Sequence, residues 1–225
     1  MIFPLIFRLR YIRRIFSFNT NMQELSSKIN FNSLYENYWK DIPWGYVWHE
    51  EEIAIFLENF ISQIGFHILD VWCWYSRLAE FFIKQEKDYT GIDIAHIPIQ
   101  YNKIYFESPF AHFYQTDIEN FVSKIPFSCI IDIWCLHCIE PIRQNTILTH
   151  YLDLLEPNWY FFLRYFMSWD IFPLFYIEDT PIYWVEESKI QWFIEKYKLH
   201  VLFTKLDTES FDLTTRKTLL LRKLS

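Results

Sequence analysis

Glycine is nearly missing from this chain, with 3 in 225 residues, where average usage of about 7% would give roughly 16. Glycine takes positive φ without steric cost, so its scarcity excludes glycine-rich linkers and leaves tight turns to other residues. Long apolar runs are missing as well. A membrane-spanning helix needs about 20 apolar residues, and within residues 1–18 the longest uncharged run is the seven residues 1–7. Arg8, Arg10, Arg13 and Arg14 follow that stretch, the reverse of a secretory signal. Positive charge is also in deficit. A net charge of -7 argues against a dedicated nucleic-acid binder, whose footprint would be basic. The four cysteines, Cys73, Cys129, Cys135 and Cys138, form no spaced framework, so a reducing cytoplasm is the expected compartment.

What is present describes a globular protein of one domain, 52% hydrophobic and 22% charged, with enough chain to bury a core. Residues 1–32 read as an N-terminal extension, and residues 33–225 as the folded domain. Two readings fit residues 1–18: a weak basic amphipathic contact with a membrane surface, or a true start at Met22. A helical cap is expected from Ser33 to Phe60, with Glu50, Glu51 and Glu52 in the first turn of its last helix.

Beyond the cap, apolar strands alternate with amphipathic helices. Strands are predicted at His67–Val71, Tyr89–Ile94, His112–Gln115, Cys129–Trp134, Tyr160–Tyr165, Leu199–Leu206 and Thr215–Arg222. Helices are predicted at Ser76–Gln85, within Ile97–Phe106, at Arg143–Leu155 and at Glu186–Tyr197. This order implies an α/β fold: a doubly wound, mostly parallel seven-stranded sheet covered on both faces, closed by an antiparallel C-terminal hairpin.

Ligands of such sheets bind at the carboxyl ends of the strands, near the topological switch point. Four predicted strand ends carry acids in order. Asp70 ends the first, two residues before a sharp turn into a helix. Asp93 ends the second, at the spacing from which a carboxylate accepts ribose hydroxyls. Asp117 and Ile118 follow the third, and Asp132 lies in the fourth.

At these residues the chain resembles the class I S-adenosylmethionine-dependent methyltransferases. The resemblance rests on Ile68-Leu69-Asp70-Val71-Trp72-Cys73-Trp74, Thr90-Gly91-Ile92-Asp93-Ile94, Gln115-Thr116-Asp117-Ile118, the segment Ile130–Cys135 and Leu154–Tyr160. It covers about residues 35–222. The resemblance implies S-adenosyl-L-methionine as cofactor, with Asp70, Trp72 and Trp74 along its methionine part. It places Asp93 at the ribose, and Asp117 with Ile118 at the adenine. A nicotinamide oxidoreductase shares the architecture but wants a small residue where Arg77 stands.

The departure from the family is sharp. Its first motif is Asp-x-Gly-x-Gly, and this chain has tryptophan at both glycine positions, Trp72 and Trp74. Trp159 stands at another expected glycine. Tryptophan numbers 10. A gene that reads UGA as glycine, translated with UGA as tryptophan, would produce this pattern. Under that reading Trp48, Trp72, Trp74, Trp134, Trp159, Trp169 and Trp184 are glycines, Trp39 is authentic, and Trp44 and Trp192 are undecided. The other reading is a degenerate relative whose indoles fill the pocket, serving as a binding or scaffold protein.

Methyl transfer needs positioning more than a catalytic side chain, so none is assigned. A small-molecule acceptor is expected, with a protein side chain as the other option. The candidates on its side are Tyr38, Trp39, His137 and Arg164, with Tyr165 beside the last. The segment 167–183 is expected to help shape that pocket. The run Cys135-Leu136-His137-Cys138 lacks the second Cys/His pair of a structural zinc site, and no metal is assigned. Its cysteines read as packing residues.

Overall fold

The computed structural model describes residues 57–133, 135–167, 174–177, 180–208 and 215–223. The extension 1–32, the cap as far as residue 56 with Tyr38 and Trp39, and Trp48, Trp134 and Trp169 lie outside the described residues.

The described chain runs β1 (His67–Val71), α1 (Arg77–Lys84), β2 (Asp88–Asp93), α2 (His96–Tyr105), β3 (Ala111–Gln115) and β4 (Phe127–Asp132). It continues α3 (Pro141–Asp153), β5 (Leu155–Phe166), β6 (Leu174–Ile177), β7 (Thr180–Tyr183), α4 (Glu187–Lys196), β8 (His200–Thr208) and β9 (Thr215–Arg222). Seven strands form one sheet in the order β3-β2-β1-β4-β5-β9-β8. β1 pairs in parallel with both β2 and β4, so the winding reverses between β1 and β4. That reversal is the switch point at which such sheets open a crevice.

Both faces of the sheet are buried, as parallel strands require. On one face Leu69, Val71, Ile130, Phe161 and Leu219 pack against Ile147, Leu148 and Tyr151 of α3 and Ile190 and Phe193 of α4. On the other, Ile68, Cys129, Ile131, Phe162 and Leu220 pack against Leu78, Ala79 and Phe82 of α1 and Ile99 of α2. Leu78 and Phe82 are one helical turn apart, which sets both on the core side of α1. Burying a side chain of this size contributes about 1.5–3 kcal/mol.

The C-terminal hairpin is antiparallel and closes one edge of the sheet, as expected, with β9 lying between β5 and β8 and antiparallel to both. Composition explains this order. Leu219, Leu220 and Leu221 are buried on alternate faces, whereas Val201, Leu202 and Leu206 of β8 are exposed, as befits an edge. Residues 156–159, which fall between a predicted helix and a predicted strand, lie inside β5, where the pairing with β4 shifts register. Asn158 takes the left-handed conformation there, φ 62°, and Trp159 does not. Asparagine tolerates that region better than most residues. In the segment 167–183, β6 and β7 form a separate two-stranded antiparallel ribbon.

Candidate functional site

The connection from β1 to α1 holds three of the six left-handed non-glycine residues of the described chain. Trp72, Trp74 and Ser76 all have positive φ, at 61°, 46° and 47°. Hydrogen bonds hold this alternation from several sides. Cys73 N–H donates to the Ile92 carbonyl at 2.9 Å, and Ser76 N–H to the Cys73 carbonyl at 2.7 Å. Trp74 N–H donates to Asp93 Oδ2 at 3.1 Å. From α2, Asn102 Nδ2 donates to the Trp74 carbonyl at 2.6 Å and to Ser76 Oγ at 2.9 Å. Gly91 makes room beneath: a Cβ there would stand 2.8 Å from Cys73 Sγ.

Beside this turn, at the carboxyl ends of the parallel strands, opens a cavity of about 270 Å³. Its walls come from four strand ends and one helix. Val71 and Trp72 close it on the β1 side, Ile92, Asp93 and Ile94 on the β2 side, and Thr116, Asp117, Ile118 and Glu119 beyond β3. Cys135, Cys138 and Ile139 follow β4, and Arg143 comes from α3. The lining is apolar walls with a few polar groups, the usual character of a small-molecule site.

Of the acids expected at the site, Asp93 and Asp117 face this space, and Glu119 adds a third carboxylate to the lining. Asp93 is 2% exposed and accepts the N–H groups of Trp74 and Ala95, the latter at 2.8 Å. Burial outweighs these bonds and lifts its carboxyl to about 7. Asp117 is half-buried and accepts the Asn120 N–H at 2.7 Å, with the Asn120 carboxamide on both oxygens. A carboxylate offers about four acceptor positions, so each retains capacity for a ligand hydroxyl or amine. Ile118, 5% exposed, supplies an apolar wall beside Asp117. These residues fit the adenine and ribose of an adenosyl group. At the other end Trp72 is itself a wall of the cavity, where the family motif has no side chain.

The remaining candidates fall elsewhere. Asp70, 5% exposed, does not line the cavity; it accepts the Tyr89 hydroxyl at 2.5 Å. Of the three acids that the resemblance places along the cofactor, Asp93 and Asp117 line the cavity, whereas Asp70 sits beneath the turn. Strand alternation is the reason, because Asp70 and Val71 point to opposite faces and only Val71 meets the cavity. Trp74 is buried against Tyr75 and Ala95. His137 is 1% exposed, lies edge-on to Phe166 at 4.7 Å and does not line the cavity. Burial and the nearby Arg216 depress it to about 3, which makes it a poor general base. Arg164 is 3% exposed and lies 3.6 Å from Asp207 of β8. Tyr165 donates to Glu187 Oε2 at 2.9 Å.

Some lining residues and supports carry no signal in the sequence. Asp132 looked like a ligand-facing acid, yet it accepts the N–H groups of Cys135 and Leu136 and the Tyr151 hydroxyl, and so shapes the turn after β4. Burial holds it at about 6. Asn102, Glu119 and Arg143 are ordinary surface-type residues in sequence; α2 brings Asn102 to the site, the loop after β3 brings Glu119 and α3 brings Arg143. Cys135 and Cys138 both line the cavity, with thiols pushed up by burial. Among the described residues no group of three His, Cys, Asp or Glu is placed to hold a metal.

No family profile and no curated protein sequence matches this chain. Solved structures do. The 1,6-didemethyltoxoflavin-N1-methyltransferase of Burkholderia thailandensis, with bound 1,6-didemethyltoxoflavin and S-adenosylhomocysteine, matches 93% of each chain at TM-score 0.70 and 15% identity. The fold is that of the class I S-adenosylmethionine-dependent methyltransferases. The N-methyltransferase NodS of Bradyrhizobium japonicum WM9, with S-adenosyl-L-homocysteine, matches 88% of this chain and 100% of its own at TM-score 0.66 and 16% identity. The magnesium protoporphyrin IX methyltransferase of Synechocystis PCC 6803, also with S-adenosylhomocysteine, matches 96% and 94% at TM-score 0.64 and 14% identity. Among the described residues no helix is long and apolar enough to cross a membrane.

Proposed function

We propose that this protein binds S-adenosyl-L-methionine and transfers its methyl group to a small molecule in the cytoplasm. A protein side chain is the second acceptor class. One observation carries the reading: Asp93, Asp117 and Ile118 line a single cavity at the sheet's switch point, beside a left-handed turn. The solved methyltransferases with bound S-adenosylhomocysteine support it.

Asp93 accepts the ribose hydroxyls, Asp117 accepts the adenine amine, and Ile118 packs on the adenine ring. The turn at 72–76 takes the methionine part, and Asp70 supports it from beneath through Tyr89. When bound, the cofactor supplies an activated methyl group for in-line displacement by a nucleophile. The chain's own contribution is positional: it holds the two reactants in line and excludes water. Tyr38 and Trp39 of the cap, with Arg164, belong to the acceptor side in this reading. His137 is left as a packing residue.

The second reading, a non-catalytic relative, is favoured by the indole of Trp72 in the cavity wall. Calorimetry with S-adenosylhomocysteine separates the two. The test compares the chain as written with the double variant Trp72→Gly/Trp74→Gly. Binding by the variant alone assigns the obstruction to the indoles and supports the methyltransferase. No binding by either overturns the cofactor assignment, and binding of NADH instead would favour an oxidoreductase.

A further inference from the structure

Two tryptophans of this chain stand where the backbone asks for glycine. Gly65 and Gly91 are the glycines among the described residues, and neither has a positive φ. Both are there for space: a Cβ on Gly65 would lie 2.5 Å from Ser128 Cβ, and one on Gly91 2.8 Å from Cys73 Sγ. The conformational freedom that glycine supplies is instead demanded at Trp72 and Trp74, two left-handed residues separated by one.

Ser76, a small residue, also takes positive φ in the same turn, and three further residues do so in settings that explain them. Glu86 and Lys198 each come two residues after a helix, where left-handed caps belong. Both are exposed. Asn158 is of a type that tolerates the region. A left-handed bulky aromatic is an outlier. Here there are two, and one is a wall of the cavity at the switch point. The hydrogen bonds that fix the turn use the backbone of residues 73, 74 and 76, together with the Ser76 hydroxyl. No indole takes part in them, so the turn keeps this network when the indoles are removed.

We infer that the cell in which this gene belongs places glycine at positions 72 and 74, reading UGA there as glycine rather than tryptophan. The ligand-side consequence is a bare backbone cradle in place of an indole wall. The inference does not extend to every tryptophan. Trp192 lies on α4, 40% exposed, with the Lys196 ammonium 4.4 Å from its ring centre and Tyr197 edge-on at 6.4 Å. Those contacts suit an indole, and the inference leaves position 192 as tryptophan. Trp159 has no positive φ, and its backbone makes no demand for glycine.

Peptide mass spectrometry on the protein purified from its source cells reads the three positions directly. The expected result is glycine at 72 and 74 and tryptophan at 192, with UGA codons at the first two and UGG at the third. Tryptophan in the 72 or 74 peptide overturns the inference, and so does a UGG codon at either position. Tryptophan at 192 encoded by UGA would also overturn it, because one codon cannot then mean glycine elsewhere in the chain. This test stands apart from the methyltransferase reading: it fails on codons and masses, whereas that reading fails on ligand binding by the glycine form.

Discussion

The carboxylate of Asp93 accepts the backbone N–H of Trp74 at 3.1 Å, across 19 residues of sequence. One buried side chain thereby closes the turn after β1 and forms a wall of the cavity. Because burial lifts that carboxyl to about 7, its charge changes within the neutral range. Ribose hydroxyls are best accepted by the ionised form. Affinity of the Trp72→Gly/Trp74→Gly form for S-adenosylhomocysteine should therefore rise up to about tenfold per pH unit below about pH 7, then level off. Calorimetric titration from about pH 5 to about pH 8 measures the profile. A flat profile would mean that Asp93 does not meet the ligand.

The same carboxyl makes stability depend on pH. With a native value of about 7 against an ordinary 3.8, Asp93 keeps a proton that the unfolded chain has lost. Its contribution to stability is therefore full below about pH 4 and declines until about pH 7. Asp132, held at about 6, acts in the same direction over a narrower window. His137, depressed to about 3, acts in the opposite sense: the unfolded chain takes its proton below about pH 6.5, and stability falls with the pH. Asp93→Asn removes only the first contribution. Its stability relative to the parent should climb between about pH 4 and pH 7, by on the order of 1–4 kcal/mol. Urea midpoints at several pH values give that difference, and a constant difference would contradict the buried protonated state.

The sheet was legible because its strands are apolar on both faces and its helices repeat at 3.6 residues, signals that local sequence carries. Leu78 with Phe82, and the run Cys129–Asp132, identify their elements unaided. The insertion of β9 was not legible, since strand order depends on pairing between distant segments. At the site, Asp93, Asp117 and Ile118 could be found because each closely follows or ends a recognisable strand. Asp70 sits at such a place too, yet the two-residue period of the strand turns it away from the cavity. Asn102 was invisible: a polar residue within an amphipathic helix reads as solvent-facing, and its burial is decided by the turn it supports.

That support is measurable. Asn102 is fully buried and its carboxamide donates to the Trp74 carbonyl and to Ser76 Oγ. Asn102→Leu should cost about 1–3 kcal/mol, because the Trp74 carbonyl is left buried without this donor. Asn102→Asp keeps the shape while losing both amide protons, and should cost at least as much. Urea unfolding measures both. A Leu variant as stable as the parent would show that the turn holds without α2.

Glu119 and Arg143 make a prediction in which binding and stability separate. Arg143 Nε donates to Glu119 Oε1 at 2.8 Å, and its Nη2 pairs with Oε2. The pair ties the loop after β3 to the first turn of α3, and both residues line the cavity. With side chains 50% and 31% exposed, the pair adds at most about 1 kcal/mol to stability. Its larger effect is to hold two cavity walls together over a bound ligand. Arg143→Ala and Glu119→Ala should each leave the urea midpoint nearly unchanged in the glycine form. Each should also raise the Kd for S-adenosylhomocysteine roughly three- to tenfold, mainly through faster dissociation. The double variant should be no worse than either single one, because both substitutions remove the same contact. High salt should shrink the difference from the parent, since exposed charges are screened. Additive losses in the double variant would instead mean that the two side chains meet the ligand separately and do not act as a pair.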